Sequence, residues 1–182
     1  FEVCTGRKVT IRDGSALVTG LLIGLNMPPE IPLWMPMLGS IFAILIVKQI
    51  FGGIGQNFMN PAMAARCFLL ISFAGKMTTF TSVDTVSGAT PLTVLKNGGT
   101  PDPAAMFTGM FSGSIGEISV IALLAGGIYL LVKRVIDWRI PIIYIGTFAV
   151  FVILFGGRGV DLVYLAAHLC GGGLMLGAWF MA

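Results

Sequence analysis

The sequence predicts an all-α, polytopic membrane helix bundle with short or broken helices and one long extracytoplasmic loop. Three observations carry that expectation. Of 182 residues, 56% are hydrophobic and 10% charged, with a mean hydropathy of +0.94, and no water-soluble surface can be assembled from that mixture. Apolar windows recur along the whole chain at lengths close to the ~20 residues a helix needs to cross a bilayer core. The stretch 76–115, by contrast, lacks strong apolar periodicity, and connections of that length are usually functional or disordered. The lipid bilayer is the expected surround, and no nucleic-acid partner is expected. The chain is expected to be a single transmembrane domain over 1–182, cut at both ends from a longer protein, since it opens on Phe1 and stops inside an apolar run at Met181-Ala182.

The apolar windows run about 14–26, 33–51, 61–75, 116–136, 141–156 and 160–182, separated by Pro, Gly or charge. Four have ordinary span length. The windows 14–26 and 61–75 are too short to cross about 30 Å at 1.5 Å per residue. They are either broken or re-entrant helices, a setting in which ligands often sit, or tilted spans in a thinned bilayer. Asn60 before Pro61 has the chemistry of an N-cap followed by a first helical residue, and Asp13 or Ser15 can cap the first window.

Orientation follows from lysine and arginine. If each window crosses once, Arg7, Lys8, Arg12, Lys48, Lys133, Arg134 and Arg139 share one side, which is then the cytoplasm. The 76–115 loop faces outward, and the protein belongs in the cell inner membrane as a multi-pass chain.

Within that loop, Lys96 to Pro103 is turn and linker chemistry. The run Asp84-Thr85-Val86-Ser87-Gly88-Ala89-Thr90 is different. Gly88 and Ala89 strip bulk from beside Thr90, so another protein's active site can close over the backbone and reach the hydroxyl. Pro91 stiffens the exit. Asp84 either helps position a metal-bound nucleotide or the hydroxyl, or is simply solvated.

The runs Asp13 to Gly20, Lys48 to Ala62 (KQIFGGIGQNFMNPA) and Ser87 to Leu92 closely resemble the D subunit of the Rnf ion-translocating oxidoreductase complex, with the B subunit of the sodium-pumping NADH:quinone reductase as near relative. The resemblance covers essentially the whole chain, and Gln56 and Pro91 favour the Rnf side. It implies that Thr90 carries FMN through a phosphodiester, installed from FAD by a magnesium-dependent flavin transferase outside the cytoplasm, with Asp84, Ser87, Gly88 and Ala89 as the surrounding motif. It also implies a role as an electron relay beside other membrane subunits, in a complex that moves electrons between reduced ferredoxin and NAD and transports sodium or protons. A flavin accepts two electrons and passes them singly, so no nucleophile and base pair is required of the protein.

Other residues divide between structural and functional readings. Arg66 is placed to contact a flavin phosphate or a buried carboxylate. Asn57 and Asn60 line a second cofactor or ion site, with a second, noncovalent flavin among the candidates, or simply belong to a tight reversal at Gly52-Gly53-Ile54-Gly55. Lys48 is expected to snorkel to the cytoplasmic interface. His168, the only histidine, is satisfied by a neighbouring carbonyl or is functional. Gly171 to Gly173 and Gly177 read as close helix packing. Cys4, Cys67 and Cys170, with no CxxC spacing, read as packing rather than a metal site, as do Met27, Met35, Met37, Met59 and Met63. Two readings from other classes stand beside the redox one: a secondary transporter or channel using the short helices, and a structural scaffold. A covalent flavin on Thr90 separates them.

Overall fold

The computed structural model describes residues 6, 13–53, 55–80, 90–109, 112–157, 161–171 and 173–181. Among these residues the secondary structure is helical, with no strand. The chain divides into two compact units, Phe1–Thr79 and Phe80–Ala182.

In the first unit, α1 (Ser15–Leu25), α2 (Trp34–Gln49) and α3 (Pro61–Ser72) pack against one another, and the single turn α4 (Ala74–Met77) follows α3. The capping expectation at α3 holds: Asn60 Oδ1 accepts from Ala62 N at 2.9 Å and Met63 N at 3.2 Å, with Pro61 in the first turn. At α1 it needs correcting. Gly14 is the cap residue, at φ 72°, while Asp13 accepts from Ser15 N at 2.8 Å; the left-handed turn needed there suits glycine best. The second half of α2, Phe42–Gln49, opens into wide turns that bring Val47, Lys48 and Gln49 all to buried positions. Such turns are rare and tend to mark functional sites. The core contains Ile23, Met35, Ala43, Ala62, Ala65 and Leu69. Gly39 permits the α2–α3 approach, since a Cβ there would lie 2.8 Å from Leu69 Cδ1. Phe42 stacks on Phe68 at 4.4 Å between ring centroids. Beyond α2, Gly52, Gly53 and Gly55 all have positive φ, as a tight reversal requires.

The second unit comprises α5 (Pro91–Lys96), α6 (Pro103–Thr108), α7 (Val120–Val132), α8 (Arg139–Phe155), α9 (Leu162–Cys170) and α10 (Leu174–Leu176), which continues as a wide-turned segment Gly177–Met181. The long connection expected between windows therefore carries two short helices, α5 and α6. Thr90, Asp102, Ser119 and Asp161 each cap the following helix through a side-chain oxygen. The core of this unit is Leu95, Met106, Val120, Ala167 and Cys170, with Leu92, Leu124, Tyr164 and Met175 against it. The glycine expectation holds at Gly171, whose added Cβ would lie 3.4 Å from Leu92 Cγ, and at Gly177, 3.2 Å from Tyr144 Oη. A Cβ on Gly127 would lie 2.5 Å from the Trp179 ring.

Three of the four windows of ordinary length come out shorter than expected, while 141–156 is matched by α8, Arg139–Phe155. Among the described residues no single helix is long and apolar enough to cross a membrane; the pair Leu162–Cys170 and Leu174–Phe180, bent by 60°, meets the length and composition requirement together. The causes are local. The window 116–136 loses its start to a turn that Ser119 closes, and its end at Arg134, which sits at φ 54°. The window 160–182 is interrupted at Gly173, φ 73°. Leu17, Leu33, Ile71, Phe155 and Leu162 are strongly exposed on these helices, as surfaces facing lipid or a partner are.

Candidate cofactor sites

The first unit contains a cavity of about 290 Å³ whose lining includes Ser15, Thr19, Leu22, Lys48, Asn57 and Asn60. Lys48 departs from its expected place. It does not snorkel: it is 4% exposed, and its Nζ donates to Ser15 Oγ. Ser15 Oγ in turn donates to Asp13 Oδ1 at 2.6 Å, so a buried ammonium is linked through one hydroxyl to an exposed carboxylate. The Ser15 hydroxyl, then the Ser15 amide, hold the Asp13 carboxyl below the usual carboxylate range, against a smaller opposing effect of burial; the charge of Lys48 is the least of these contributions and also lowers it. Sequestering an ammonium from water costs several kcal/mol unless other groups compensate it, and among the described residues no carboxylate contacts Lys48 directly. Thr19 Oγ1 donates to Ser15 O at 2.9 Å, which leaves its lone pairs for an incoming donor. Asn57 Oδ1 is buried and has no hydrogen-bond partner among the described residues, whereas buried acceptors are ordinarily paired. Asn60 commits its Oδ1 to the α3 cap. The cavity therefore offers a charged donor at Lys48 and an unused acceptor at Asn57 between the apolar walls of Val18, Leu22, Pro61 and Ala62. That pattern is complementary to a ligand carrying both carbonyl and N–H groups.

Arg66 is outside that lining. Its Nη1 donates to Asn26 Oδ1 at 2.8 Å, and Asn26 Nδ2 donates to Leu22 O at 2.7 Å, so the guanidinium joins α3 to the end of α1 through a neutral amide.

In the second unit, Thr90 is half-buried at the N-cap of α5. Its Oγ1 lies 2.8 Å from Thr93 Oγ1 and accepts weakly from Thr93 N at 3.4 Å. Among the described residues the Thr90 hydroxyl is engaged only by its own turn. Asp84, Ser87, Gly88 and Ala89 lie outside the described residues, as do Arg7, Lys8, Arg12 and Cys4. A second cavity, about 330 Å³, opens between α5 and α9 and is lined by Leu92, Leu95, Lys96, Tyr164 and His168. His168 Nδ1 is 2.9 Å from the Tyr164 carbonyl, and the two rings are 4.3 Å apart, so the backbone-satisfied reading of this histidine holds. Cys67 is exposed and Cys170 buried; no metal-holding cluster of His, Cys, Asp and Glu occurs among the described residues.

Sequence reasoning missed Ser15 and Thr19 as cavity residues and gave Lys48 the wrong environment. A usable signal was present: a lysine inside an apolar window, together with hydroxyls at 15 and 19, one helical turn apart.

The family model for NQR2, RnfD and RnfE matches residues 1–182. The chain belongs to the NQR2, RnfD, RnfE family. It is 50% identical to the D subunit of the Na(+)-translocating ferredoxin:NAD(+) oxidoreductase complex of Acetobacterium woodii, over 97% of this chain and 56% of that protein. It is 42% identical to the D subunit of the proton-translocating ferredoxin:NAD(+) oxidoreductase complex of Clostridium ljungdahlii, over 100% of this chain and 60% of that protein. With the B subunit of the Na(+)-translocating NADH-quinone reductase of Neisseria meningitidis serogroup A, identity is 39% over 98% of this chain and 48% of the relative. The chain thus spans about half to three-fifths of the length of these relatives. Family membership and composition agree on a membrane protein of the kind found within oxidoreductase complexes.

Proposed function

We propose that this chain is the flavin-carrying core of the D subunit of a ferredoxin:NAD oxidoreductase-type ion pump, relaying electrons through FMN esterified to Thr90 in a multi-pass protein. The observation that carries the reading is Thr90 itself, a threonine preceded by Ser87-Gly88-Ala89, half-buried, with its hydroxyl engaged by Thr93 and by no other described residue. Losing that cap contact to an ester costs about 1 kcal/mol, which the α5 packing against α9 can absorb. When bound, the flavin supplies the change between two-electron and one-electron transfer. The chain's own part is to present the hydroxyl on a stiff turn, outside the cytoplasm, to a flavin transferase, and to dock among the other subunits of the complex. The greater identity to the two D subunits than to the quinone-reductase relative favours ferredoxin over quinone chemistry for the assembly.

The cavity of the first unit fits a second, noncovalent flavin. Asn57 Oδ1 would accept from an imide N–H, and Lys48 would donate to a flanking carbonyl. The transporter reading draws on the same short helices, but a cavity combining a buried ammonium with an unused amide acceptor suits a heterocycle better than an alkali ion.

The deciding experiment is peptide mass spectrometry of the protein from native membranes. FMN minus water on the peptide containing Thr90 is the expected result. An unmodified peptide from cells with an active flavin transferase would transfer preference to the transporter.

A further inference from the structure

The turn between α6 and α7 holds a buried acid that belongs to neither cofactor site. Glu117 is 6% exposed. Its Oε1 accepts from Ser114 N at 3.0 Å, while Glu117 N donates to Ser114 O at 3.1 Å, so the side chain closes its own turn with one oxygen. The other oxygen, Oε2, is buried and has no hydrogen-bond partner among the described residues. Ser112 and Ser114, 3% and 0% exposed, flank it in the same turn. The turn packs tightly: an added Cβ on Gly109 would lie 3.3 Å from Ile118 O.

A carboxylate oxygen buried without a partner costs several kcal/mol unless it is protonated or meets a cation. The flanking helices supply no neutralising group nearby. The α6 and α7 spans contain no charged residue; their titratable or charged groups are Asp102 at the α6 N-cap, Tyr129 on α7, and Lys133 at its far end, about 20 Å along the axis from its start. The donor set also limits the ion. One carboxylate with neutral hydroxyl and carbonyl oxygens balances a single positive charge, whereas divalent-ion sites generally collect more carboxylates, and no cluster of three acidic, His or Cys ligands occurs among the described residues.

We propose that Glu117 is the carboxylate of a monovalent-cation site, taking sodium, in the turn before α7. The proposal rests on the ion-pump reading above and assigns the cation a residue in this chain.

The test uses the intact complex in native membranes and dicyclohexylcarbodiimide. A protonated, water-poor carboxyl gives its proton to a carbodiimide nitrogen and adds to the central carbon; an oxygen-to-nitrogen acyl shift then leaves a stable N-acylurea containing the whole reagent. Mass spectrometry of the Glu117 peptide is expected to show this adduct. A sodium site predicts that sodium chloride, but not choline chloride at equal ionic strength, suppresses the adduct. Labelling indifferent to sodium, or no labelling, overturns the proposal. Glu117→Gln retains an acceptor for the Ser114 amide and is expected to lower ion uptake by proteoliposomes of the complex roughly tenfold or more; uptake at the wild-type rate overturns the proposal whatever the labelling shows. Flavin on Thr90 is scored separately, so failure of either idea is distinguishable.

Discussion

The cavity of the first unit and the hydroxyl of the second present opposite designs. Around Lys48 the polar groups come from several parts of the unit, Lys48 and Thr19 are buried, and Asn57 holds an acceptor with no partner among the described residues. Around Thr90 the polar groups belong to one turn and stay half-exposed. A noncovalent ligand must be paid for by preformed complementarity, so its site carries desolvated and unsatisfied groups before the ligand arrives. A covalent attachment point needs none of this. The bond supplies retention, and the protein needs only a reachable hydroxyl on a backbone stiffened by Pro91.

Substitutions can break or sharpen that contrast. The largest expected effect is all-or-none: Thr90→Ala removes covalent flavin fluorescence of this protein in a denaturing gel, while the lost cap costs only about 1 kcal/mol and leaves assembly intact. Retained fluorescence would remove Thr90 from the scheme. Lys48→Met keeps the volume and deletes the charge-assisted donor; noncovalent flavin recovered after mild extraction should fall, with an affinity loss of about 1.5–3 kcal/mol, or roughly tenfold or more in Kd. Unchanged flavin content would make Lys48 a structural cation only. Asn57→Leu should divide function from stability, stabilising the ligand-free protein by about 1 kcal/mol as the orphaned acceptor disappears while weakening flavin retention; a flavin-depleted sample with a lower Tm would contradict this. Asn60→Ala should lower thermal stability by about 1 kcal/mol through the α3 cap, with a smaller effect on flavin than Asn57→Leu.

The smallest effect is in pH. Because its hydrogen bonds to Ser15 depress the folded-state pKa of Asp13, their contribution is complete above the ordinary aspartate range and is lost as the pH falls through the lower folded value. Wild type and Asp13→Asn should therefore differ in thermal stability near neutral pH and converge in acid. A difference that persists in acid would mean that the Asp13 carboxylate is not the source.

How much was legible in the residues differs between these regions for the same reason. Asn60 and Pro61 act on amides two and three positions away, and Gly52, Gly53 and Gly55 act on their own dihedrals, so both features could be read directly. The Thr90 motif is local as well, and its meaning came through family resemblance. The Lys48–Ser15 contact joins residues 33 apart and the Arg66–Asn26 contact residues 40 apart, and no local rule anticipates either. Lys48 was misread because a lysine near the end of an apolar window ordinarily reaches for water; here the wide turns of α2 direct it into a cavity instead.

The sequence by itself determined the helical class, the membrane setting and the family, because composition, capping and motif are properties of neighbouring residues. Only the tertiary structure decided that Lys48 is buried on Ser15, that Asn57 keeps an acceptor unused, and that Glu117 hides one oxygen without a partner. Burial and hydrogen-bond satisfaction depend on which distant elements meet, and that is set by packing across the whole unit rather than by any segment of it.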